Sequence, residues 1–441
     1  MVEVWNGEKR AGASAVPACA ARALYLVAPA PPGRAPKTAS NRQRTAEMKL
    51  PPLRLRKDED RRLRAGHLWV FSNEVDVSRT PLTDFQPGDE VEVQDARGAP
   101  LGVGYVNPRS LIAARVVSRD RDARIDRALL RRRLQRALAL RELLFPAPYY
   151  RAVFGESDGL PGLVVDRFGD VLVAQIGTAG MERVKDDITA ALDEVFAPAA
   201  ILYRNDASGR ALEGLESYVE TAKGDIPDLV PLEENGVRFE APMAGQKTGW
   251  FYDHRMNRAR LAAYVRGRSV LDVFSYVGGW GVQAAAAGAE RVLCVDASAA
   301  ALEQVGRNAA LNGVGDRMGV ERGDAFEALR TLAAEGRRFD VVVLDPPAFI
   351  KRRKDQKAGE EAYRRVNQLA MEVLRPDGIL VSASCSFHLP REALQDAMLR
   401  AARRQGRGLQ ILEEGRQGPD HPVHPAIPET AYLKSFTGRV G

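Results

Sequence analysis

Two residues whose side chains could take part in a reaction follow strand-like segments in the C-terminal half of the chain. Asp345 closes the run FDVVVLDPPAF, in which two prolines prevent the strand from continuing. Cys385 closes GILVSASCS, the strand predicted to lie beside it. Open α/β sheets bind ligands at the carboxyl ends of their strands, so we expect both side chains to face one pocket. A thiolate there could attack C6 of a pyrimidine and activate C5, a reaction that requires a lowered thiol pKa.

A second group of residues has the spacing of a nucleoside site. In LDVFSYVGGWGVQAAAAGA, Asp272 ends a strand and Gly278 begins a glycine cluster that would let backbone approach a ligand. The spacing is not G-x-G-x-x-G, and a carboxylate would oppose a pyrophosphate but attract a cationic sulfonium. Asp296 in RVLCVDA is placed to bind ribose hydroxyls, and Asp324 in RGDAF to bind an adenine edge. Each aspartate alone would more often cap a helix, but in register with Asp345 they predict a bound nucleoside.

The alternation of segments from about Asp228 onward predicts the fold that positions these residues. The segments SVLDVF, RVLCVDA, RMGVERGDA, FDVVVLDPP, GILVSASCS, LQILEEG and YLKSFTGRV have strand character. Helical stretches near Gly281 to Ala287, Ala299 to Leu311 and Glu360 to Leu374 separate the first five. We therefore expect an α/β domain over residues 227–441, with a mostly parallel, doubly wound sheet and right-handed crossovers.

The N-terminal half has a different organisation. Residues 1–47 contain Ala, Pro, Gly and Arg without a period, so we expect a disordered extension, and Met48 is a second candidate start residue. Residues 48–122 alternate like short strands, with a hairpin turn at Asp95 to Gly98, and predict a small β-barrel. Its leading basic cluster, from Arg54 to Arg64, is either a solvated face or a phosphate-contacting edge. Residues 123–226 mix helical and strand periods and predict a central α+β module.

Composition bounds the class of protein. The 441 residues are 45% hydrophobic and 28% charged, as in ordinary globular proteins, and no apolar run is long enough to span a membrane. The net charge of +6 favours a polyanionic partner. Cys19, Cys294 and Cys385 fit neither a disulfide framework nor a zinc cluster, which predicts a reducing, cytoplasmic setting. Cysteines are often buried apolar residues, and Cys294, in the middle of its strand, fits that description better than Cys385.

The strand-end motifs resemble those of the class I S-adenosylmethionine-dependent methyltransferases, through LDVFSYVGGWG, CVDAS, RGDAF and LDPPAF. The resemblance implies a Rossmann-like doubly wound sheet with S-adenosylmethionine as its cofactor. It implies that Asp272 and Gly278 lie near the methionine part, Asp296 at the ribose and Asp324 at the adenine.

The identity of the methylated atom depends on two further features. Amino-group methyltransferases typically place an aromatic residue directly after the two prolines, whereas here Ala348 precedes Phe349. This argues against an N6-adenine or guanine target but leaves it open. The thiol of Cys385 favours cytosine or uracil. Cytosine is preferred because Asp345, if protonated or bridged, could engage its N3 and N4 edge.

The chain from Met48 resembles more closely the ribosomal large-subunit methyltransferase I family, cytosine-C5 methyltransferases acting on bacterial 23S ribosomal RNA. The resemblance is carried by RRLRAGHLWVFSNEV, GESDGLPGLVVDRFGD, GQKTGWFYDHRMNR, DPPAFIK, SASCSFHL and HPVHPAIPETAYLKSF. It implies that residues 48–122 form a PUA-like RNA-binding domain.

The same resemblance implies roles for individual residues. It makes Cys385 the nucleophile. Asp345, from its own position at the neighbouring strand end, is the second candidate catalytic residue and a candidate cofactor contact. It also implies a loop over the cofactor from Gln246 to Arg255, in which Thr248 and Tyr252 are the candidate contacts.

The leading hypothesis is therefore an RNA cytosine-C5 methyltransferase that uses a covalent adduct between Cys385 and C6. An RNA purine N-methyltransferase and a non-catalytic RNA-binding assembly factor are the alternatives. We expect no metal, because His421 and His424 in a proline-rich loop lack helical ligand spacing and are better explained by loop structure or RNA contact. The expected partner is 23S ribosomal RNA and not a membrane. The oligomeric state stays open, with a homodimer as one candidate.

Overall fold

The structure, a computed structural model, describes residues 49–243 and 249–441. The predicted extension, residues 1–47, and Thr248 lie outside the described residues. Within these two ranges, no helix combines the length and the apolar character needed to cross a membrane. From the N-terminus, the described chain forms a small barrel, a central α+β region and a C-terminal α/β region.

The first region is a five-stranded sheet that curls on itself. It contains β1 (Pro52–Arg54), α1 (Arg61–Arg64), β2 (Trp69–Phe71), β3 (Asp89–Gln94), β4 (Pro100–Val106) and β5 (Ile112–Ser118). The strand order is β1-β3-β4-β5-β2, and a bridge between Leu55 and Val75 joins the two edges. Leu53, Val70 and Val91 are fully buried inside. The alternating segments thus form the predicted barrel, and β3 and β4 form a hairpin around the predicted turn.

Three residues of the basic cluster at the start of the barrel, Arg61, Arg62 and Arg64, form ion pairs with neighbouring acids. Arg62 contacts the Glu74 carboxylate at 2.6 Å, and Arg64 contacts Asp95 at 2.9 Å. Arg56 donates to the carbonyl of Val75. These pairs neutralise much of the cluster's charge, which favours the solvated face over the phosphate-contacting edge.

The second region is a five-stranded sheet covered by helices, as predicted for an α+β module. It contains α2 (Arg127–Leu144), β6 (Tyr149–Phe154), β7 (Leu163–Phe168), β8 (Val171–Ile176), α3 (Ala179–Arg183), α4 (Lys185–Phe196), β9 (Ala200–Asn205) and β10 (Tyr218–Lys223). The strand order is β10-β9-β8-β7-β6. A turn with positive φ at Gly169 joins β7 and β8 into a hairpin, and Val184 separates α3 from α4.

A two-stranded hairpin leads into the third region. Its strands are β11 (Leu229–Glu234) and β12 (Val237–Pro242). Val230 and Phe239 are buried in the same hydrophobic cluster as Val270 of the C-terminal sheet. The buried carboxylate of Glu234 accepts hydrogen bonds from the Arg258 guanidinium at 2.6 Å and from Nε1 of Trp250 at 3.1 Å. The hairpin is therefore fixed to the C-terminal region through apolar packing and a buried ion pair.

The third region is a seven-stranded sheet with helices on both faces. Its strands are β13 (Ser269–Val273), β14 (Arg291–Asp296), β15 (Met318–Arg322), β16 (Phe339–Leu344), β17 (Leu374–Ser384), β18 (Leu409–Gly415) and β19 (Lys434–Val440). Its helices are α5 (Arg255–Val265), α6 (Gly281–Ala286), α7 (Ala299–Leu311), α8 (Ala325–Ala334), α9 (Gln356–Glu372) and α10 (Arg391–Arg404). The order is β15-β14-β13-β16-β17-β19-β18. The first five strands pair in parallel, which confirms the predicted doubly wound sheet.

The last two strands depart from the parallel arrangement. β19 inserts between β17 and β18 and runs antiparallel to both. β19 therefore begins at the edge of the sheet where β17 ends. Helices α5, α8 and α10 were not predicted, and α9 begins at Gln356, four residues before the predicted start at Glu360.

The buried side chain of Arg141 and the backbone of Arg151 attach the central region to the loop that precedes β19. The side chain of Arg141 is fully buried, contacts Asp158 at 2.7 Å and donates to the carbonyl of Asp420 at 2.8 Å. The backbone N–H of Arg151 donates to the Asp420 carboxylate at 3.1 Å. An unpaired buried charge is costly, so these contacts hold the loop in one position.

The junction of α6 with the sheet yields a prediction about stability. A Cβ atom added at Gly281 would lie 2.5 Å from Sγ of Cys294 and 3.1 Å from Oδ2 of Asp272. We expect Gly281→Ala to lower the free energy of unfolding by about 1–3 kcal/mol, because the helix must move away from the sheet. Denaturant titration monitored by circular dichroism measures this change.

Gly306, in the middle of α7, provides the matched control. A Cβ atom there meets nothing within 4 Å. Gly306→Ala should be neutral or stabilising by about 0.5–1 kcal/mol, since alanine favours the helix. Equal unfolding free energies for the two variants would contradict the packing argument.

Candidate active site

The strand order brings the predicted strand-end residues to one edge of the sheet. Successive neighbouring strands β15, β14, β13, β16 and β17 all run in the same direction. At or just after their carboxyl ends lie, in the same order, Asp324, Asp296, Asp272, Asp345 and Cys385. The order of the strands reverses between β13 and β16, which is where open α/β sheets form a ligand crevice.

Asp272 is the most deeply buried of these acids. Its side chain is inaccessible to solvent, and its Oδ2 accepts the backbone N–H of Gly281 at 2.8 Å. Oδ1 has no hydrogen-bond partner among the described residues. Burial raises the pKa of Asp272 to about 7, the Gly281 N–H opposes the rise, and the charges of Asp345 and Asp296 add to it. A cationic ligand group is the natural partner for such a carboxylate.

The glycine cluster after β13 serves packing within the protein. Gly278 has φ +85°, and a Cβ atom there would lie 2.9 Å from the side chain of Val282. Gly281 allows α6 to approach the strands closely. The prediction that Gly278 lies near the methionine part stays a prediction, because these contacts are with protein atoms.

Asp296 and Asp324 both bind backbone N–H groups. The two carboxylate oxygens of Asp296 accept from Tyr276 and Ser298, each at 2.9 Å. Asp324 is exposed and caps α8 by accepting from Phe326 at 2.9 Å. Helix capping was the alternative explanation for these aspartates, and it describes Asp324. Each carboxylate has about four lone-pair sites, so a ligand hydroxyl or amino group can still be accommodated.

Asp345 is held by two residues from different elements. Nε1 of Trp280 donates to its Oδ2 at 3.0 Å, and Nε2 of His254 lies 3.2 Å from its Oδ1. Trp280 belongs to the glycine cluster, and His254 directly precedes α5. The strand end of β16 is therefore connected to the loop after β13 and to α5.

The same contacts determine the protonation state of Asp345. Burial alone would raise its pKa, but the positive charge of His254 at 3.2 Å and the hydrogen bond from Trp280 outweigh burial and lower the pKa. Burial likewise opposes the protonation of His254, and Asp345 raises the pKa of that imidazole. Asp345 is thus an ionised, bridged carboxylate. Of the two states considered for it from the sequence, the bridged state fits and the protonated state does not.

His254 and Trp280 were missed by the sequence analysis. Trp280 stands between Gly279 and Gly281 in the motif itself, and an indole N–H in that position was an available signal. His254 lies within the segment from Gln246 to Arg255 that was expected to cover the cofactor, but its contact with Asp345 joins residues far apart in the chain and had no local signal.

Cys385 lies half-buried in the loop after β17. The residues on either side of it are fixed by one tyrosine. The hydroxyl of Tyr363 accepts from Ser384 at 2.8 Å and lies 2.9 Å from Oγ of Ser386. The backbone N–H of Ile350 donates to the same Ser386 oxygen at 3.2 Å, which ties the Asp-Pro-Pro loop to the cysteine loop. Cys294, by contrast, is fully buried within β14, as expected.

Phe349 packs within the protein. Its ring centroid lies 4.8 Å from that of Tyr363, and it also contacts the rings of Phe326 and Phe274. A ring held in this cluster is poorly placed to stack on a substrate base. The arrangement adds to the argument against an amino-group methyltransferase that Ala348 provides.

Several other predicted residues lie away from the strand ends. Tyr252 is buried, donates its hydroxyl to the carbonyl of Arg167 at 2.8 Å and packs on Phe168 of the central region, so a cofactor contact is not supported by its surroundings. Thr248 lies outside the described residues. His421 is buried against Asp420, with 2.9 Å between Nδ1 and Oδ1. The part of the chain that is described contains no group of three metal-ligating side chains.

Two protein families match separate parts of the chain. A family described as a PUA-like domain matches residues 53–119, which confirms the implied nature of the barrel. A second family, described as S-adenosylmethionine-dependent methyltransferase, matches residues 206–436. The Rossmann-like sheet and its cofactor, S-adenosylmethionine, are thereby established.

Relatives and solved structures agree with these matches. The chain is 38% identical to ribosomal RNA large subunit methyltransferase I of Shewanella denitrificans, covering 88% of this chain and 99% of the relative. It is also 38% identical to the protein of the same name from Erwinia tasmaniensis, with 88% and 98% covered. A methyltransferase structure in complex with SAH superposes with a TM-score of 0.76 at 18% identity, covering 88% of this chain and all of that one. The structural likeness supports the fold.

The strand-end residues suit this cofactor. Asp272 presents a buried oxygen without a partner in the described residues, which suits a cationic amino-acid moiety. Asp296, on the next strand, keeps lone pairs for ribose hydroxyls. We propose that Asp272 binds the methionine part, Asp296 the ribose and Asp324 the adenine, with Asp345 between the cofactor and the substrate.

The raised pKa of Asp272 predicts that cofactor binding depends on pH. Below about pH 7 this carboxyl is protonated and loses its attraction for a cation. We expect S-adenosylmethionine to bind about tenfold more weakly at pH 6 than at pH 7.5, as measured by isothermal titration calorimetry. Asp272→Asn should bind weakly at both pH values.

An exposed aspartate on the same region is the control. Asp316→Asn removes a carboxylate before β15 that lies on the surface and should retain the pH dependence of the unaltered protein. A pH-independent affinity in the unaltered protein would contradict the assigned role of Asp272.

Proposed function

This chain belongs to the ribosomal RNA large subunit methyltransferase I family, and from that membership we propose that it methylates C5 of a cytosine in 23S ribosomal RNA. The observation that carries the proposal is the position of Cys385. It follows β17, directly beside the strand whose end carries Asp345, and hydrogen bonds through Ser386 join the two loops. A thiol and an ionised carboxylate at adjacent strand ends suit pyrimidine C5 chemistry better than methylation of an amino group.

The thiol has a specific task in this reaction. C5 of cytosine is a poor nucleophile, and addition of the Cys385 thiolate to C6 moves the electron pair of the C5–C6 bond towards C5. S-adenosylmethionine, when bound, would supply an electrophilic methyl group for C5 and leave as S-adenosylhomocysteine. The C5 proton then passes to solvent, the C–H electron pair re-forms the C5–C6 double bond, and the C–S electron pair returns to the Cys385 sulfur, which releases the methylated cytosine. The thiolate is regenerated at the end of the reaction, so S-adenosylmethionine and the target cytosine are the reactants that are consumed.

Asp345 provides a reason to prefer cytosine over uracil. Because its carboxylate is ionised, it can accept a hydrogen bond from the N4 amino group of cytosine. Uracil presents a carbonyl oxygen at the same position, which the carboxylate would repel. The oxygens that contact Trp280 and His254 each retain a second lone pair for this purpose.

The N-terminal barrel supports an RNA substrate. The match of this barrel to the PUA-like domain and the net charge of +6 of the whole chain both suit a polyanion. A target base inside a duplex cannot reach a thiol at a strand end, so we propose that the enzyme acts on a base turned out of the RNA stack. The barrel and central region would then hold the flanking RNA.

A substrate that blocks the last step tests the covalent mechanism. In RNA containing 5-fluorocytosine, fluorine replaces the C5 proton, so elimination cannot follow methyl transfer. We expect a protein–RNA adduct that survives denaturing electrophoresis and that disappears in Cys385→Ala. Methyl transfer to unmodified RNA by this variant should fall by at least about a thousandfold, as expected when a covalent nucleophile is removed.

Cys19→Ala is the control variant, because it removes a thiol that has no assigned role. It should still form the adduct. Binding of S-adenosylmethionine by Cys385→Ala should also be retained, which separates loss of the nucleophile from loss of the fold. Full methylation activity in Cys385→Ala would overturn the mechanism. Transfer of the methyl group to a purine of the RNA would overturn the choice of cytosine as the target base.

A further inference from the structure

The environment of Cys385 contains a cation that the proposed function has not used. Lys434 is the first residue of β19, and Ser384, the last residue of β17, pairs with it in antiparallel register. Its Nζ donates to the carbonyl of Ser386 at 2.6 Å. The lysine is therefore fixed to both residues that flank Cys385. This placement follows from the insertion of β19 beside β17.

The Lys434 ammonium is in an unusual position for a lysine. The side chain is largely removed from solvent, and within the described residues no carboxylate lies within 4 Å of Nζ to form an ion pair. Burial lowers the pKa of Lys434 to about 8, and the charge of the Cys385 thiolate acts in the opposite direction. At neutral pH the ammonium is still mostly protonated. A buried cation without an acid is costly unless another anion compensates it.

Within the described ranges, ionisable groups from three different elements lie close enough to Cys385 for its charge to affect their pKa values. They are Lys434 on β19, Tyr363 on α9 and Tyr432 in the loop before β19. Burial raises the pKa of both tyrosines, so both are neutral at pH 7. Tyr432 donates its hydroxyl to Asp253 at 2.6 Å, and Tyr363 is engaged by the serines beside the cysteine. Lys434 is the cation of the three.

We propose that Lys434 holds Cys385 in its thiolate form, and is thus a positioning residue for the nucleophile of the proposed function. The thiol proton passes to solvent, because the amine is already protonated at neutral pH, and the ammonium and thiolate remain as a pair. The same ammonium stabilises the negative charge on sulfur again when the C–S bond breaks and its electron pair returns to Cys385. The inference deepens the proposed function but concerns the thiol itself, so it is testable without RNA.

The test is the rate of alkylation of Cys385 by iodoacetamide as a function of pH, on the full chain, with the modified peptide quantified by mass spectrometry. The thiolate reacts and the thiol does not, so the profile gives the pKa of Cys385. We expect Lys434→Gln and Lys434→Met to raise that pKa by about one unit or more, and to slow alkylation at pH 7 about tenfold. Lys434→Arg, which keeps the charge, should restore most of the rate.

Two controls separate this role from a structural one. Lys223→Gln removes a lysine paired with Asp193 on the central region and should leave the profile unchanged. Cys294 is fully buried, so its alkylation reports any variant that has lost its fold. Lys434→Met retains the apolar stem and serves if Lys434→Gln does not fold.

The outcomes are distinct from those of the proposed function. Superimposable profiles for the unaltered protein and folded Lys434→Met would overturn the inference, whatever the RNA chemistry. A shifted profile would support it even if Cys385→Ala still methylated RNA, in which case the proposed covalent mechanism would be the part that fails.

Discussion

The candidate active site depends on how negative charge is distributed among the carboxylates that lie close together at one edge of the parallel sheet. Asp272 and Asp345 end adjacent strands, and each raises the cost of ionising the other. The ion pair between Asp345 and His254, supported by Trp280, keeps one carboxylate ionised, while the other titrates near neutrality. A cationic cofactor next to Asp272 would relieve the remaining repulsion, so the charge pattern favours the complex over the empty protein.

The ion pair also links the site to the rest of the molecule. His254 lies between Asp253 and α5, and Asp253 accepts a hydrogen bond from Tyr432. The loop containing Tyr432 is held by the buried arginines of the central region and leads into β19. The central region, which the sequence predicted only as an α+β module, therefore contributes to the position of the loop that precedes β19. Its contacts are charged and buried, which fixes one arrangement.

Local patterns predicted the sheet and its strand-end acids well, because a buried parallel strand and the turn that ends it are encoded within a few residues. The order of Asp324, Asp296, Asp272, Asp345 and Cys385 along one edge follows from strand periodicity and right-handed crossovers. The contacts that tune these residues were not predictable in the same way. His254 reaches Asp345 across the chain, and Lys434 reaches the Cys385 loop only because β19 inserts antiparallel beside β17. Tyr252 had the residue type of a ligand contact, but packing against the central region occupies it.

The proposed reaction requires that a thiolate at the end of β17 makes C5 of a cytosine nucleophilic. It can be tested with ribosomal RNA that lacks the modification and carries tritium at C5 of its cytidines, incubated with the enzyme and unlabelled S-adenosylmethionine. One tritium should enter water for each methyl group transferred. Methyl transfer without release of tritium would place the methyl group on another atom and would rule out methylation at C5.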